Sequence, residues 1–405
     1  MDYIALSVPI FFLLIFIELF VAWRKQRHLY RFNDAVTNLS CGIGSQILGA
    51  YFKVLIFLAY TYIFTHFRLA TIQDSPLNWF LLFLGVDFCY YWFHRLSHEI
   101  NFIWATHIVH HQSEEYNFSV ALRQSWFQGL FSWAFYIPLA IAGFSPLMIV
   151  TVAAFNTLYQ FWIHTRTIDR MGPLEWILNT PSHHRVHHGS NPKYIDKNHA
   201  ATLIIWDRMF GTFQKEEEEP VYGITSPLNS WNPVWANFHY WDELIALSKQ
   251  TKSFKDKLLV FIKPPGWRPD YLGGFQAPSE IDRSTYKKFD VPSLKGFGPY
   301  LWLQFIGVIA LTSYFMFTSG SMLESGDVKL IGQYSALAAY LIYAIYSIGL
   351  AFEGRASFIK YEILRLFLLL PLCIGLFGTG ILFFISLSFL VVSSVWLFSL
   401  RKNLS

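Results

Sequence analysis

The sequence predicts an all-α fold: a polytopic integral membrane protein of about nine spans with a histidine-rich cytoplasmic region. Three observations predict it. The 405-residue chain is 54% hydrophobic and 19% aromatic but only 14% charged, too apolar for an ordinary soluble domain. Its apolar residues gather into stretches close to the roughly 20 residues that carry a helix across the hydrocarbon core. Its histidines, finally, fall in a set rhythm directly after one of those stretches.

Taken in order, spans are read at residues 4–22, 42–65, 78–93, 126–144, 146–163, 299–318, 331–352, 361–376 and 381–399. The third, fifth and eighth are short, which suits a tilted, interfacial or re-entrant helix as well as a crossing one. The first shows no cleavage-site pattern and runs straight into Arg24-Lys25-Gln-Arg27, so it reads as a retained span. Keeping that basic run in the cytoplasm puts the N-terminus outside and, counting forward, brings His94, His164, Arg355 and Lys360 to the cytoplasmic side. The chain then divides into N-terminal spans (1–77), a histidine-bearing region (78–290) and a C-terminal membrane bundle (291–405). A net charge of +4 with basic residues at span ends implies anionic lipid and no nucleic acid. Cys41, Cys89 and Cys373 lie in or beside spans in no metal-binding spacing and read as buried thiols.

Within the third span Asp87 precedes His94 by two helical turns; it either supports a ligand from another helix or makes an interhelical hydrogen bond. Pro138 and the 143–146 turn predict a kink and a tight hairpin. The fifth span carries Asn156, Gln160 and His164 at four-residue steps, so His164 is either an interhelical hydrogen-bonding residue or a metal ligand level with the other histidines. Residues 165–298 hold no long apolar run and read as one cytoplasmic region, with Glu216 to Glu219 as a solvated loop and Pro264 to Gly274 as loop or linker. The last four spans show no visible chemistry.

The chemistry lies in three cassettes: His94-Arg-Leu-Ser-His98, His107-Ile-Val-His110-His111 and His184-Arg-Val-His187-His188. Residues three and four apart share a helix face, so each cassette is expected to present its imidazoles as one cluster. A tetrahedral zinc takes about four ligands, too few to use eight histidines, and the surplus argues for two metal ions. Imidazole suits zinc, copper, iron and nickel alike; two irons held by histidine are a means of activating dioxygen. His183 and His199 are secondary candidates. Glu99, next to His98, reads as a carboxylate ligand, a catalytic proton relay or a surface charge, and Glu99, Asp87, Asp169, Asp196, Asp207 and Asn198 are the groups available to accept the second N–H of ligating histidines. A metal transporter is the reading of a different class; clustering at one membrane face counts against it.

These residues resemble the fatty acid hydroxylase and sterol desaturase superfamily. The resemblance rests on Tyr90-Tyr-Trp-Phe-His94-Arg-Leu-Ser-His98-Glu99, Trp104-Ala-Thr-His107-Ile-Val-His110-His111-Gln-Ser-Glu114, Pro181-Ser-His183-His184-Arg-Val-His187-His188-Gly, Ile195-Asp-Lys-Asn198 and Ile205-Trp-Asp207-Arg-Met-Phe-Gly-Thr. It covers residues 80–275 and is nearest to the glyceryl-ether monooxygenase branch. What it implies is a membrane di-iron oxidoreductase that uses dioxygen to hydroxylate a lipid beside its ether oxygen, with tetrahydrobiopterin as electron donor. A sterol or fatty acyl hydroxylase or desaturase fed by a redox protein is the alternative within the superfamily. The membrane would be the endoplasmic reticulum in a eukaryote and the inner membrane in a bacterium.

Overall fold

The computed structural model describes residues 3–292 and 294–401, and among these there is no β-strand, only isolated bridges pairing Leu178 with Leu203 and Gly189 with Tyr222. The chain forms two units. One holds the chain up to Gly42, Tyr51–Leu228 and Asn237–Lys288; the other holds Ile43–Ala50, Asn229–Ala236 and the chain from Phe289 onward.

The first three helices are long: α1 (Tyr3–Arg24), α2 (Phe32–Phe67) and α3 (Pro76–Glu99). Ser75 caps α3 by accepting the Asn78 N–H, and Pro76 occupies a first-turn position where its missing N–H costs nothing. Short helices follow: α4 (Asn101–Trp104), α5 (Ile108–His111), α6 (Phe118–Ala121), α7 (Gln128–Ser132) and α8 (Ile137–Ala142). The stretch read as the fourth span is thus not one helix. A 3₁₀ turn at Trp133–Tyr136 separates α7 from α8, and Pro138 opens the second piece. The hairpin after it needs Gly143, whose φ is +113° and where a Cβ would lie 2.1 Å from the Ala70 carbonyl oxygen.

Next come α9 (Pro146–Trp162), α10 (Pro181–His187), α11 (Ile205–Phe210), α12 (Pro233–Gln250) and α13 (Phe254–Ile262). In this unit α2, α3, α8 and α9 close round Leu82, Val86, Ala140, Met148 and Ile149, and α1, α6 and α9 round Phe11, Ile15, Phe118 and Phe161. Removing such side chains from water is the main favourable term holding these helices together outside lipid.

The second unit contains α14 (Gly298–Ser325), α15 (Val328–Phe352), α16 (Phe358–Phe377) and α17 (Ile381–Arg401). Its interior is not wholly apolar. Glu362 and Arg365, both fully buried, pair at 2.6 Å; Tyr300 and Ser347 donate to the carboxylate, and the guanidinium reaches Tyr340 and Gln304. Every group in this network is satisfied, the condition under which charges are tolerated away from water.

Among the described residues five helices are long and apolar enough to cross a membrane, α1, α2, α14, α15 and α17. That is fewer than the nine spans expected. α3 and α16 have the length but carry Asp87, His94, Arg95 and His98 in one and Lys360, Glu362 and Arg365 in the other, and α9 has 17 residues. The three cysteines are free, and Cys41 and Cys373 are buried.

Candidate metal centre

His94 and His98 sit one turn apart near the end of α3, which stops at Ile100; the chain then turns through α4 and returns His107, His110 and His111 to that end. α10 carries His184 and His187, with His188 at its C-cap, and His164 follows the last turn of α9. All nine side chains are buried. Ring nitrogens of His94, His98, His107, His111 and His187 lie within 4.8 Å of one another, and so do those of His110, His164, His184 and His188.

His94 and His98 stay together in the first group as expected, but the two HxxHH cassettes divide, contrary to the expectation of one cluster each. His107 and His111 join the first group while His110 joins the second; His184 and His188 join the second while His187 joins the first. Residues four apart keep together, and the one between them is rotated roughly 100° from its neighbour, enough to face a different centre.

Hydrogen bonds decide which nitrogen points inward. Nδ1 of His94 donates to the His199 carbonyl (2.7 Å), Nδ1 of His110 to that of Arg123 (2.9 Å), Nδ1 of His164 to that of Gln160 (2.7 Å) and Nδ1 of His187 to that of Lys197 (2.9 Å). A carbonyl oxygen only accepts, so the network assigns the proton of each neutral ring to Nδ1 and leaves a bare lone pair on Nε2. His107, 3.0 Å from Oε1 of Gln128, and His98, 3.2 Å from Oδ1 of Asp196, are oriented in the same sense.

Yet Nε2 of His94 lies 2.9 Å from Nε2 of His107, and Nε2 of His110 lies 3.1 Å from Nε2 of His164. Two lone pairs at that distance repel unless a cation accepts both. The Nε2 atoms of His98, His187 and His188 are buried without a hydrogen-bond partner, and Nε2 of His184 lies 3.0 Å from Nε2 of His164. Buried polar atoms are rarely left so, and here they converge. Each group therefore fits a metal ion, and the outer nitrogens of His94, His98, His107, His110, His164 and His187 are held by carbonyl or side-chain acceptors as those of ligating histidines normally are.

Electrostatics agree. Burial, reinforced by neighbouring imidazoles, holds His107, His111, His184, His187 and His188 well below the usual histidine range. Burial with the Arg123 guanidinium close by lowers His110 to about 4. Neutral imidazole is the form that ligates.

The other candidates fall outside the two groups. Glu99 pairs with Arg95 at 2.8 Å and is 44% exposed, so its carboxylate belongs to the helix surface. His183 is buried against Phe213, and Asp169 is exposed. His199 lies beside the first group, 5.1 Å from the His98 ring between centroids, and contributes its carbonyl to His94. Asp87 touches no histidine: it accepts from Asn156, Trp206 and the backbone N–H of Thr202 and Leu203, which settles it as an interhelical tie.

Asp207, pushed up to about 6 by burial, accepts the N–H groups of His199 and Ala200 and so fixes the carbonyl that orients His94. Asn198 binds the carbonyl of His183 rather than a ligand ring. Glu216, expected in a solvated loop, instead pairs with the buried Arg185 of α10 at 2.7 Å, and Arg185 also binds the carbonyls of Thr165 and Ile168 just after His164. Sequence reading missed Gln128, which stands alone in its segment, and the backbone acceptors, which any residue could provide. Sequence reading also did not single out Tyr116, which stacks on His164 and lies 5.3 Å from His188 between ring centroids.

Residues 79–212 match the fatty acid hydroxylase family and contain all nine histidines. Alkylglycerol monooxygenase of Xenopus tropicalis is 41% identical over 379 residues, covering 91% of this chain and 81% of that protein. The Homo sapiens alkylglycerol monooxygenase is 40% identical over 378 residues, 92% of this chain and 82% of its own length. An ornithine lipid hydroxylase of Rhizobium tropici is 31% identical over 145 residues, 34% of this chain and 44% of its own. No solved structure matches. Buried all-histidine groups that fit iron, within a chain so similar from near end to end, place this protein in the fatty acid hydroxylase family of oxidoreductases, among the alkylglycerol monooxygenases.

Proposed function

We propose that this chain is a multi-pass membrane di-iron monooxygenase that cleaves the ether bond of alkylglycerols. The observation that supports it most is the pair of histidine groups whose inward nitrogens carry opposed lone pairs. His94, His98, His107, His111 and His187 would hold one iron and His110, His164, His184 and His188 the other; nine donors exceed what one ion accepts. When bound, the iron pair would supply dioxygen activation.

The chain's own residues set the conditions for it. Carbonyls of His199, Arg123, Gln160 and Lys197 fix the tautomers, so the donor lone pairs are in place before metal arrives. Burial excludes water that would quench an oxidant. In the net reaction one oxygen atom enters the C–H bond beside the ether oxygen, and the other leaves as water with two electrons and two protons from the reductant. The resulting hemiacetal breaks down to an aldehyde and glycerol. Tetrahydrobiopterin is proposed as reductant on the family resemblance, and the basic run after α1 supports a cytoplasmic position for the histidines.

The test is iron content and the Mössbauer spectrum of iron-57 protein purified without chelator, followed by turnover of an alkylglycerol, a sterol and a fatty acyl lipid with and without reduced pterin. A coupled iron pair with pterin-dependent turnover of the alkylglycerol is expected. A single ion, zinc alone after anaerobic iron loading, or pterin-independent turnover of the sterol would overturn the reading.

A further inference from the structure

α13 (Phe254–Ile262) lies in the 165–298 stretch read from sequence as one cytoplasmic region, and its two faces differ. Val260 points into the protein and is fully buried with Ala105 and Leu244. Phe254, Leu258 and Ile262 are 76%, 49% and 60% exposed, and four-residue steps put them on one face opposite Val260. Lys255 and Lys257, both exposed, fall one on each side of that apolar stripe. Nothing among the described residues covers it.

The helix is also held firmly. Asn101, buried two residues beyond the end of α3, donates its backbone N–H to the Lys263 carbonyl (3.0 Å) and its side-chain amide to the Val260 carbonyl (2.8 Å), and accepts from Tyr240 (2.6 Å). α13 is thereby fixed to the end of a helix of membrane length, in the segment that joins His98 to His107. An apolar stripe between flanking lysines is the pattern of a helix lying in the plane of a membrane surface, where lysine stems cover apolar surface while ammonium groups reach the headgroups.

We infer that α13 docks on the bilayer the chain itself spans, with Phe254, Leu258 and Ile262 in the headgroup–acyl boundary and Lys255 and Lys257 on anionic headgroups. This rests on the membrane reading and not on the oxygenase reading. Docking would set the depth at which the chain between His98 and His107 meets lipid.

The test uses the full chain in lipid nanodiscs with a nitroxide on Leu258→Cys. Leu58→Cys in α2 serves as the span control, Glu280→Cys as the aqueous control, and signal from the native cysteines is subtracted. Accessibility to oxygen well above that to a nickel chelate, as at position 58 and unlike position 280, is expected. A value at 258 matching 280 overturns the inference while position 58 upholds the membrane reading; an aqueous value at 58 removes both. Spin–spin broadening that disappears on dilution with unlabelled protein overturns it in favour of a second copy of the chain. Lys255→Glu with Lys257→Glu should raise nickel accessibility at 258 in discs with anionic lipid and not in zwitterionic discs; an equal rise in both removes the headgroup contact.

Discussion

At the scale of single residues, ligation and support are separable. Replacing a ligand with alanine, His187 for the first group or His164 for the second, should abolish activity and lower iron from about two to about one per chain while the protein still enters the membrane. Iron analysis of the purified variants checks this; full iron and activity in both would sink the ligand sets. Gln128→Ala keeps every ligand but frees Nδ1 of His107, and loss of such an outer partner costs about 10–100-fold in metal affinity or activity. Protons compete for the same lone pairs. His110 is held at about 4 in the folded chain, against about 6.5 for free histidine, so on acidification the unfolded chain takes up its proton first. The metal-free protein should therefore keep its full stability above about pH 6.5 and lose it progressively toward pH 4, as thermal unfolding at pH 7 and pH 5 would show. Only the candidate ligands were legible in the spacing. HxxxH and HxxHH mark candidate ligands because helix geometry is local, but where an acceptor holds the second nitrogen it is mostly a backbone carbonyl, which carries no sequence signature.

Elements carry the next layer. Asp87 ties α3 to α9 and to the 202–206 segment through four donors, so Asp87→Ala leaves buried N–H groups unpaired, each costing about 1–3 kcal/mol. A lower unfolding temperature with weaker iron retention is expected, measured on the same detergent preparation. In the C-terminal bundle, Arg365→Leu leaves Glu362 as an uncompensated buried charge, which costs roughly 3–5 kcal/mol, whereas adding Glu362→Gln should restore much of that loss. A double variant less stable than the single one would show that the pair is not a unit. Helix positions were legible from apolar runs, and the break at 126–144 was foreshadowed by Pro138. The Arg365 and Glu362 pair stood in plain view in the eighth stretch, but a sequence shows a charge and not its partner.

Over the whole chain, length, apolar content and three histidine cassettes were enough to give an all-α protein with membrane-length apolar helices and more clustered histidines than one metal ion would use, because helix periodicity and the cost of burying charge are local properties that composition and spacing display. Which histidines share a centre was decided by tertiary structure alone. His110 and His187 leave their cassettes because α5 and α10 meet across both groups, and His164 gains its place only when α9 ends beside His110 and His184. Likewise Glu99, adjacent to His98 in sequence, points to the surface, while Asp207, far away along the chain, comes to hold the backbone that orients His94. The physical reason is one of distance: a side chain's direction is fixed within a helical turn, but the partner it meets is fixed by the packing of helices that are remote in sequence.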